Sequence, residues 1–549
     1  MRRLAPSLVV VASLLAVAGA QALTVGAPAN VTKLAGHQSE PTIQIQKTAP
    51  TKLFATSNQL PTGVAAAGSG RKSTDSGATW TNTAMALPFA ACCDYQTAAD
   101  GFGNIFLTYL DPNALRVMLE VSTDGGATWA AVTSNLNPAG VIDSGPNMDQ
   151  PAVAVGGGSV WVYWDDNGQI KARGAPVTGA GNANIGNFIA EEATPSTGNF
   201  GDVAVGPTGI VAVTYQSDTT IFTNTDADGL GPGGFGATVV VATTNVDRFD
   251  AITPQPNRTI DAEANLDYDQ SGGANNGRLY LVYTDETPDE SNNTDIFVRT
   301  STNNGASWSA AVKVNDDVTQ RAQFFPDLEV DQSSGKVAVT WYDARNDCGT
   351  ACIGNGSTDV AANDDTQYWG ALSTNGGLSF GPNFRISAGN ATNGTQAVTG
   401  NPNEYGDYSR NDYFQNKLYP VWGDNTNSTG DNPNGAGGPL DIYTAQIDTS
   451  SPTGVGVAGA SATRTARGVA VTWRTESEVG IAGFDVYRAV AGRAVKVNAA
   501  LVPAKHAGRP MGARYRVVDP AARAGLRYTY RVQVVLMDGR TEAGASAGT

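Results

Sequence analysis

Aliphatic residues alternate with aromatic, small or polar ones in short runs along most of the chain. "VWVYWD" (residues 160–165), "VAVTYQSD" (211–218), "LYLVYTD" (279–285) and "VAVTWYD" (337–343) are typical. Such alternation sends successive side chains to opposite faces, so each run predicts a β-strand rather than a helix. Each closes on an aromatic residue with an acid shortly after it, and the ending recurs in "IFLTYLD" at Asp111 and "LYPVWGD" at Asp424, with a relative, "LFATSN", at Asn58. These endings divide residues 36–450 into seven related units. Earlier in each unit lies another alternating run, such as "PAVAV" (151–155) or "PDLEV" (326–330).

A turn repeats as well. "STDSGATW" (73–80), "STDGGATW" (122–129), "STNNGASW" (301–308) and "STNGGLSF" (373–380) share one design. The Asp or Asn side chain at Asp75, Asp124, Asn303 and Asn375 accepts N–H groups of its own turn, Gly supplies positive φ, and the aromatic residue packs. Four alternating strands per unit, with a turn before the last, predict a four-stranded antiparallel sheet. A period of this size predicts radial repetition, hence an all-β fold and a β-propeller.

The turn resembles the Asp-box, or BNR repeat, of the sialidase superfamily, and the resemblance covers most of residues 36–450. It implies that the turns join the third and fourth strands of a blade on the face opposite the active site. The acid-ended second strands and the starts of the first strands then share the upper face. Sialidases have six blades. The seven units here favour seven, and six stays open if an N-terminal strand completes the last unit.

Other features set the domain limits. "MRRLAPSLVVVASLLAVAGAQA" pairs two arginines with an apolar run ending in a small-x-small site, which predicts a signal peptide over 1–22 and a secreted or cell-surface product. No later stretch has the ~20 apolar residues of a membrane span, so the mature chain is expected to lack one. Residues 451–549 hold 14 Lys+Arg against 6 Asp+Glu, leaving 21 of 35 and 45 of 51 upstream. A body this acidic argues against nucleic-acid partners and favours cations or uncharged ligands, with Ca²⁺ as the one cofactor kept open. The basic tail, with "GVAVTWRTESEVGIAGFDVYRA" (468–489) and further alternating strands, resembles a fibronectin type III module and predicts a small β-sandwich over 451–549, after a propeller over 23–450. The cysteines are Cys92, Cys93, Cys348 and Cys352; disulfides are expected, with a Cys348–Cys352 bridge favoured.

Candidate chemistry gathers on the upper face. Glu40, Asp149, Asp343 and Asp424 lead the binding candidates among the acids at strand ends; Asp94, Asp202, Asp261 and Asp327 start other first strands. The last two units add Arg345, Glu404, Tyr405, Asp407, Tyr408 and Arg410, with Arg258 and Arg321 ahead of first strands. The resemblance implies three arginines for a substrate carboxylate, a tyrosine nucleophile with a glutamate, and an aspartate acid/base; Tyr405 or Tyr408 with Glu404, Asp407, Arg345 and Arg410 are the matching catalytic candidates. Ser39-Glu40-Pro41 stands where the family has Arg-Ile-Pro, a carboxylate in place of a guanidinium. That substitution repels an anionic sugar. The sequence reading is therefore a secreted propeller binding extracellular glycans or surface partners. Its alternative is a glycoside hydrolase, sialidase-like or acting on a neutral glycan.

Overall fold

The computed structural model describes residues 23–549 except 61–68, 86–89, 113–114, 389–403, 451–456, 476–477, 479–480, 491–492, 507–511, 524 and 537–540. The expected signal peptide, 1–22, lies outside the described residues. Regular structure is β throughout, apart from two short 3-10 turns at Asn182–Asn184 and Gly349–Cys352. The chain divides into two compact units, the larger being Leu23–Ser450.

Seven antiparallel sheets follow one another in the larger unit. Their first strands are His37–Ile45, Cys93–Ala99, Met148–Gly156, Asn199–Val205, Asn265–Tyr268, Gln323–Val330 and Asn411–Phe414. Each of these packs against the first strand of the next sheet, and Asn411–Phe414 packs against His37–Ile45, which closes the ring. The seventh sheet is completed from the other end of the chain: Ala29–Asn30 pairs with Asp441–Thr444, and Thr24–Val25 with Ile447–Asp448. A hairpin, Asp250–Ile252 with Gln255–Ile260, stands between the fourth and fifth sheets in sequence.

The alternating pattern explains the stacking. In Ser159–Asp166, Val160, Val162 and Trp164 pack with Phe106 and Leu110 of the second sheet, whereas Trp161 and Tyr163 pack with Val203, Val213 and Tyr215 of the fourth. All five are fully buried, because both sheet faces are covered. Removing one such aromatic side chain costs ~3–5 kcal/mol.

The four repeated turns have one hydrogen-bond pattern. Ser73 Oγ donates to Asp75 Oδ1 (2.8 Å), while Asp75 accepts Thr79 N (2.9 Å) and Thr79 Oγ1 (2.6 Å). Asp124 does the same with Ser122 and Thr128. At Asn303 and Asn375 the amide nitrogen instead donates to Ser307 Oγ (2.9 Å) and Ser379 Oγ (2.8 Å). The turn therefore needs a side-chain oxygen, not a charge. Its end of the sheet is fixed by register: Leu53 pairs with both Ile45 and Ser73, while Asn58 pairs with Ser39. The turn and Glu40 sit at opposite ends.

The C-terminal unit has a three-stranded sheet (Val457–Thr465, Gly468–Thr475, Arg514–Asp519) and a five-stranded one containing Ile481–Val490 and Thr529–Leu536. They share one core, in which the Trp473 ring lies 5.3 Å from that of Tyr515 and 5.4 Å from that of Phe484.

Candidate functional site: an acidic mouth over the ring

A repeated irregularity gathers the chemistry. The first strands of five sheets shift register near their start, each with a residue in the left-handed region: Glu40 (φ 51°), Asp94 (57°), Gln150 (44°), Phe200 (47°) and Phe325 (50°). Glu263 (φ 42°) precedes the fifth sheet in the same way. Such a bulge re-aims side chains, and a non-glycine residue held there costs on the order of 1 kcal/mol.

Two guanidiniums hold the mouth together. Arg258, from the hairpin, donates through Nε to Asp407 Oδ1 (2.6 Å) and through Nη2 to Asp407 Oδ2, and its Nη2 lies 3.7 Å from Glu40 Oε1. Arg410 donates through Nη1 to Glu263 Oε1 (2.9 Å) and through Nε to Gln96 Oε1 (3.0 Å), with Asp327 Oδ1 at 3.5 Å. Its guanidinium carbon stands 4.8 Å over the Tyr408 ring. Asn58 bridges two acids, donating from Nδ2 to Glu40 and accepting Asp94 N at Oδ1 (3.2 Å).

Acids outnumber these cations, and their protonation follows. Burial, then the Asp407 charge, pushes Glu40 up to about 8. Burial also pushes Asp261 up to about 8 and Glu263 well above the carboxylate range. Burial, then the Asp149 charge, lifts Asp94 well above the carboxylate range, and burial raises Asp149 as well. Neighbouring carboxylates disfavour each other's ionisation, which adds to the rise at Asp94. A recess of about 10 Å³, room for one water, is lined by Asp94, Gln96, Gln150, Glu263, Tyr408 and Arg410.

The remaining candidates sit as follows. Tyr408 is buried, donates to Tyr95 O (3.4 Å), and is held as a neutral phenol by desolvation. Tyr405 does not face the mouth: its ring packs 4.6 Å from Tyr342 and 5.7 Å from Phe324, and its hydroxyl accepts from Thr366 Oγ1 (2.9 Å). Glu404 accepts Asn257 Nδ2 (2.6 Å) and the Arg258 N–H (3.3 Å), so it fixes the hairpin that carries Arg258. Neither tyrosine touches the Glu404 carboxylate in the way a tyrosine–glutamate nucleophile pair requires. Arg345 lies elsewhere, bound to Asp343 (2.8 Å) and Asp316 (2.8 Å) and 4.3 Å over Trp369.

Asp343 accepts Trp341 Nε1 (2.7 Å) and Arg345 N (2.8 Å), and Asp424 accepts Trp422 Nε1 (3.1 Å) and Thr426 N (2.6 Å). Both acids staple their own loops. The disulfides are Cys92–Cys93, directly before Asp94, and Cys348–Cys352, the bridge favoured from sequence. Glu263 is a residue of the mouth that sequence reasoning passed over, and Asn58 was named only as a strand ending; the acid-then-small-residue step "DAEAN" (261–265) beside "SEPT" (39–42) was the available signal for the first.

No family model matches the chain, and no curated protein matches it. Similar solved structures include the phage phi92 endosialidase (10% identity, 82% of this chain and 84% of that one, TM-score 0.39). A Trypanosoma rangeli sialidase is similar at 10% identity over 85% of each chain, TM-score 0.34. An α-L-arabinofuranosidase from Fusarium graminearum is similar at 13% identity over 65% of this chain and 92% of its own, TM-score 0.30. Among the described residues no helix is long and apolar enough to cross a membrane.

Proposed function

We propose that the acidic mouth recognises an uncharged glycan. The observation that carries this reading is that Arg258 and Arg410, the mouth's two guanidiniums, are both committed to carboxylates of the protein itself. A sialic acid carboxylate would find Arg258 and Arg410 already paired and would meet Glu40, Asp94, Asp149 and Asp407. Carboxyl and carboxylate groups, by contrast, hydrogen-bond sugar hydroxyls as donors and acceptors. The seven sheets are read as seven blades of an Asp-box propeller over 23–450, exported by the 1–22 leader. The fibronectin type III-like unit over 451–549 acts as spacer or attachment to a cell-surface partner.

A second reading, hydrolysis of the same neutral glycan, is favoured by Asp94, whose carboxyl is raised well above the carboxylate range by burial and the Asp149 charge. Asp94 would serve as the proton donor. The partner carboxylate would be Asp407, which Arg258 keeps in place.

The test presents the full chain with an array of neutral and sialylated glycans and follows products by mass spectrometry. Retention of neutral glycans that is weakened by Asp149→Asn supports recognition. Released sugar that disappears in Asp94→Asn supports hydrolysis. Preference for sialylated glycans overturns both readings.

A further inference from the structure

We propose that Asp347, Asp364 and Asp365 form a calcium site in the loop joining the second and third strands of the sixth sheet, Val337–Asp343 and Gln367–Ser373. One carboxylate oxygen from each of the three lies within 4.8 Å of the others. Calcium binds oxygen at about 2.3–2.6 Å, so ligands on opposite sides of one ion are about 5 Å apart, and the trio fits around a single Ca²⁺.

An unsatisfied group points to the ligand independently of this proximity. Asp364 is 8% exposed, and its Oδ1 is buried without any hydrogen-bond partner. A buried carboxylate oxygen left without a donor carries a desolvation cost that a cation removes. Arg345, the nearest guanidinium in sequence, is taken by Asp316 and Asp343, and among the described residues no ion pair reaches the three carboxylates.

The surroundings are built to hold the trio in place. Asp347 accepts Ser357 Oγ (2.6 Å) and the N–H groups of Gly349 (3.1 Å), Asp364 (2.8 Å) and Asp365 (3.0 Å), which draws the two downstream acids against it. Asp365 accepts Thr358 Oγ1 (2.9 Å). The two thiols of the loop are joined as Cys348–Cys352, so only oxygen donors remain, and hard oxygen ligands select Ca²⁺ over zinc. The site is separate from the glycan-binding mouth and stands whether or not that reading holds.

The experiment titrates CaCl₂ into the chelator-stripped full chain by calorimetry, with thermal unfolding in parallel. The expected result is saturable binding with a Kd of about 1 mM or tighter, as in extracellular calcium modules, and a Ca²⁺-dependent rise in Tm. Asp364→Asn and Asp365→Asn should each weaken binding about 10-fold or more while keeping the β circular-dichroism spectrum. Asp289→Asn, in the exposed acidic loop 285–295, should leave it unchanged. Absence of binding up to about 10 mM, beyond the weakest of such modules, overturns the proposal. Binding that survives both loop variants, or is lost in Asp289→Asn instead, also overturns it.

Discussion

Replacing Glu40 by glutamine tests the electrostatics of the mouth directly. Glu40 is 1% exposed, and its carboxyl is pushed from an ordinary 4.5 up to about 8, first by burial and then by Asp407. Between those two values the folded protein holds a proton that the unfolded chain has released. Stability therefore falls as pH rises from about 4.5 to about 8, by up to ~1.4 kcal/mol per pH unit from this group. The ceiling over the interval is about 5 kcal/mol. Glutamine keeps the shape and carries no proton to lose. Glu40→Gln should match the wild type near pH 5 and exceed it by at least ~2 kcal/mol near pH 8.5, where the wild-type carboxylate is ionised beside Asp407. Urea unfolding at a series of pH values, followed by tryptophan fluorescence, measures the gap. Trp473 is the one tryptophan outside Leu23–Ser450, so the signal reports chiefly on the larger unit. A gap that stays constant within ~0.5 kcal/mol across the range would refute the reasoning. It would mean that Arg258, 3.7 Å away, keeps Glu40 ionised in the folded state.

Other outcomes follow from the same geometry. Arg410→Met removes the hydrogen bonds to Glu263 and Gln96 and should destabilise by ~1–3 kcal/mol, with partial recovery on adding Glu263→Gln, read by urea midpoints. Gly126→Ala places a Cβ 2.3 Å from Phe54 Cδ2 at a φ of 80° and should cost ~2–3 kcal/mol, whereas Asp124→Asn should be nearly neutral because Asn303 already serves the same turn. Tyr405→Phe should lose ~1 kcal/mol, the Thr366 hydrogen bond, and leave glycan binding intact, since its ring lies in the aromatic core. A loss of glycan binding in that variant would return Tyr405 to the site.

How far the sequence could be read depended on whether a signal was local or spatial. Strand alternation is local, so "VWVYWD" declared both its strand and the burial of both faces, and the repeated turn declared its hairpin through a side chain bonding to residues four positions on. The ring was foreseen as a propeller, whereas its N-terminal closing strands were foreseen only as an option, because pairing Ala29–Asn30 with Asp441–Thr444 joins residues at opposite ends of the larger unit. For the candidate site, sequence reasoning placed acids at one end of the sheets and could not sort them. An aspartate two residues after a tryptophan can face the mouth or turn back to the indole N–H, and Asp343 and Asp424 turn back. Tyr405 and Tyr408, three positions apart, part ways because the chain between them, at Gly406 (φ 87°), turns one ring into the aromatic core and the other beneath Arg410. The same loop sends Asp407 to Arg258, and that single pairing, invisible in the sequence, converts a candidate anion-binding arginine into the counter-ion of the protein's own acids. The spatial arrangement of charge, rather than its composition, therefore sets the electrostatics of the mouth.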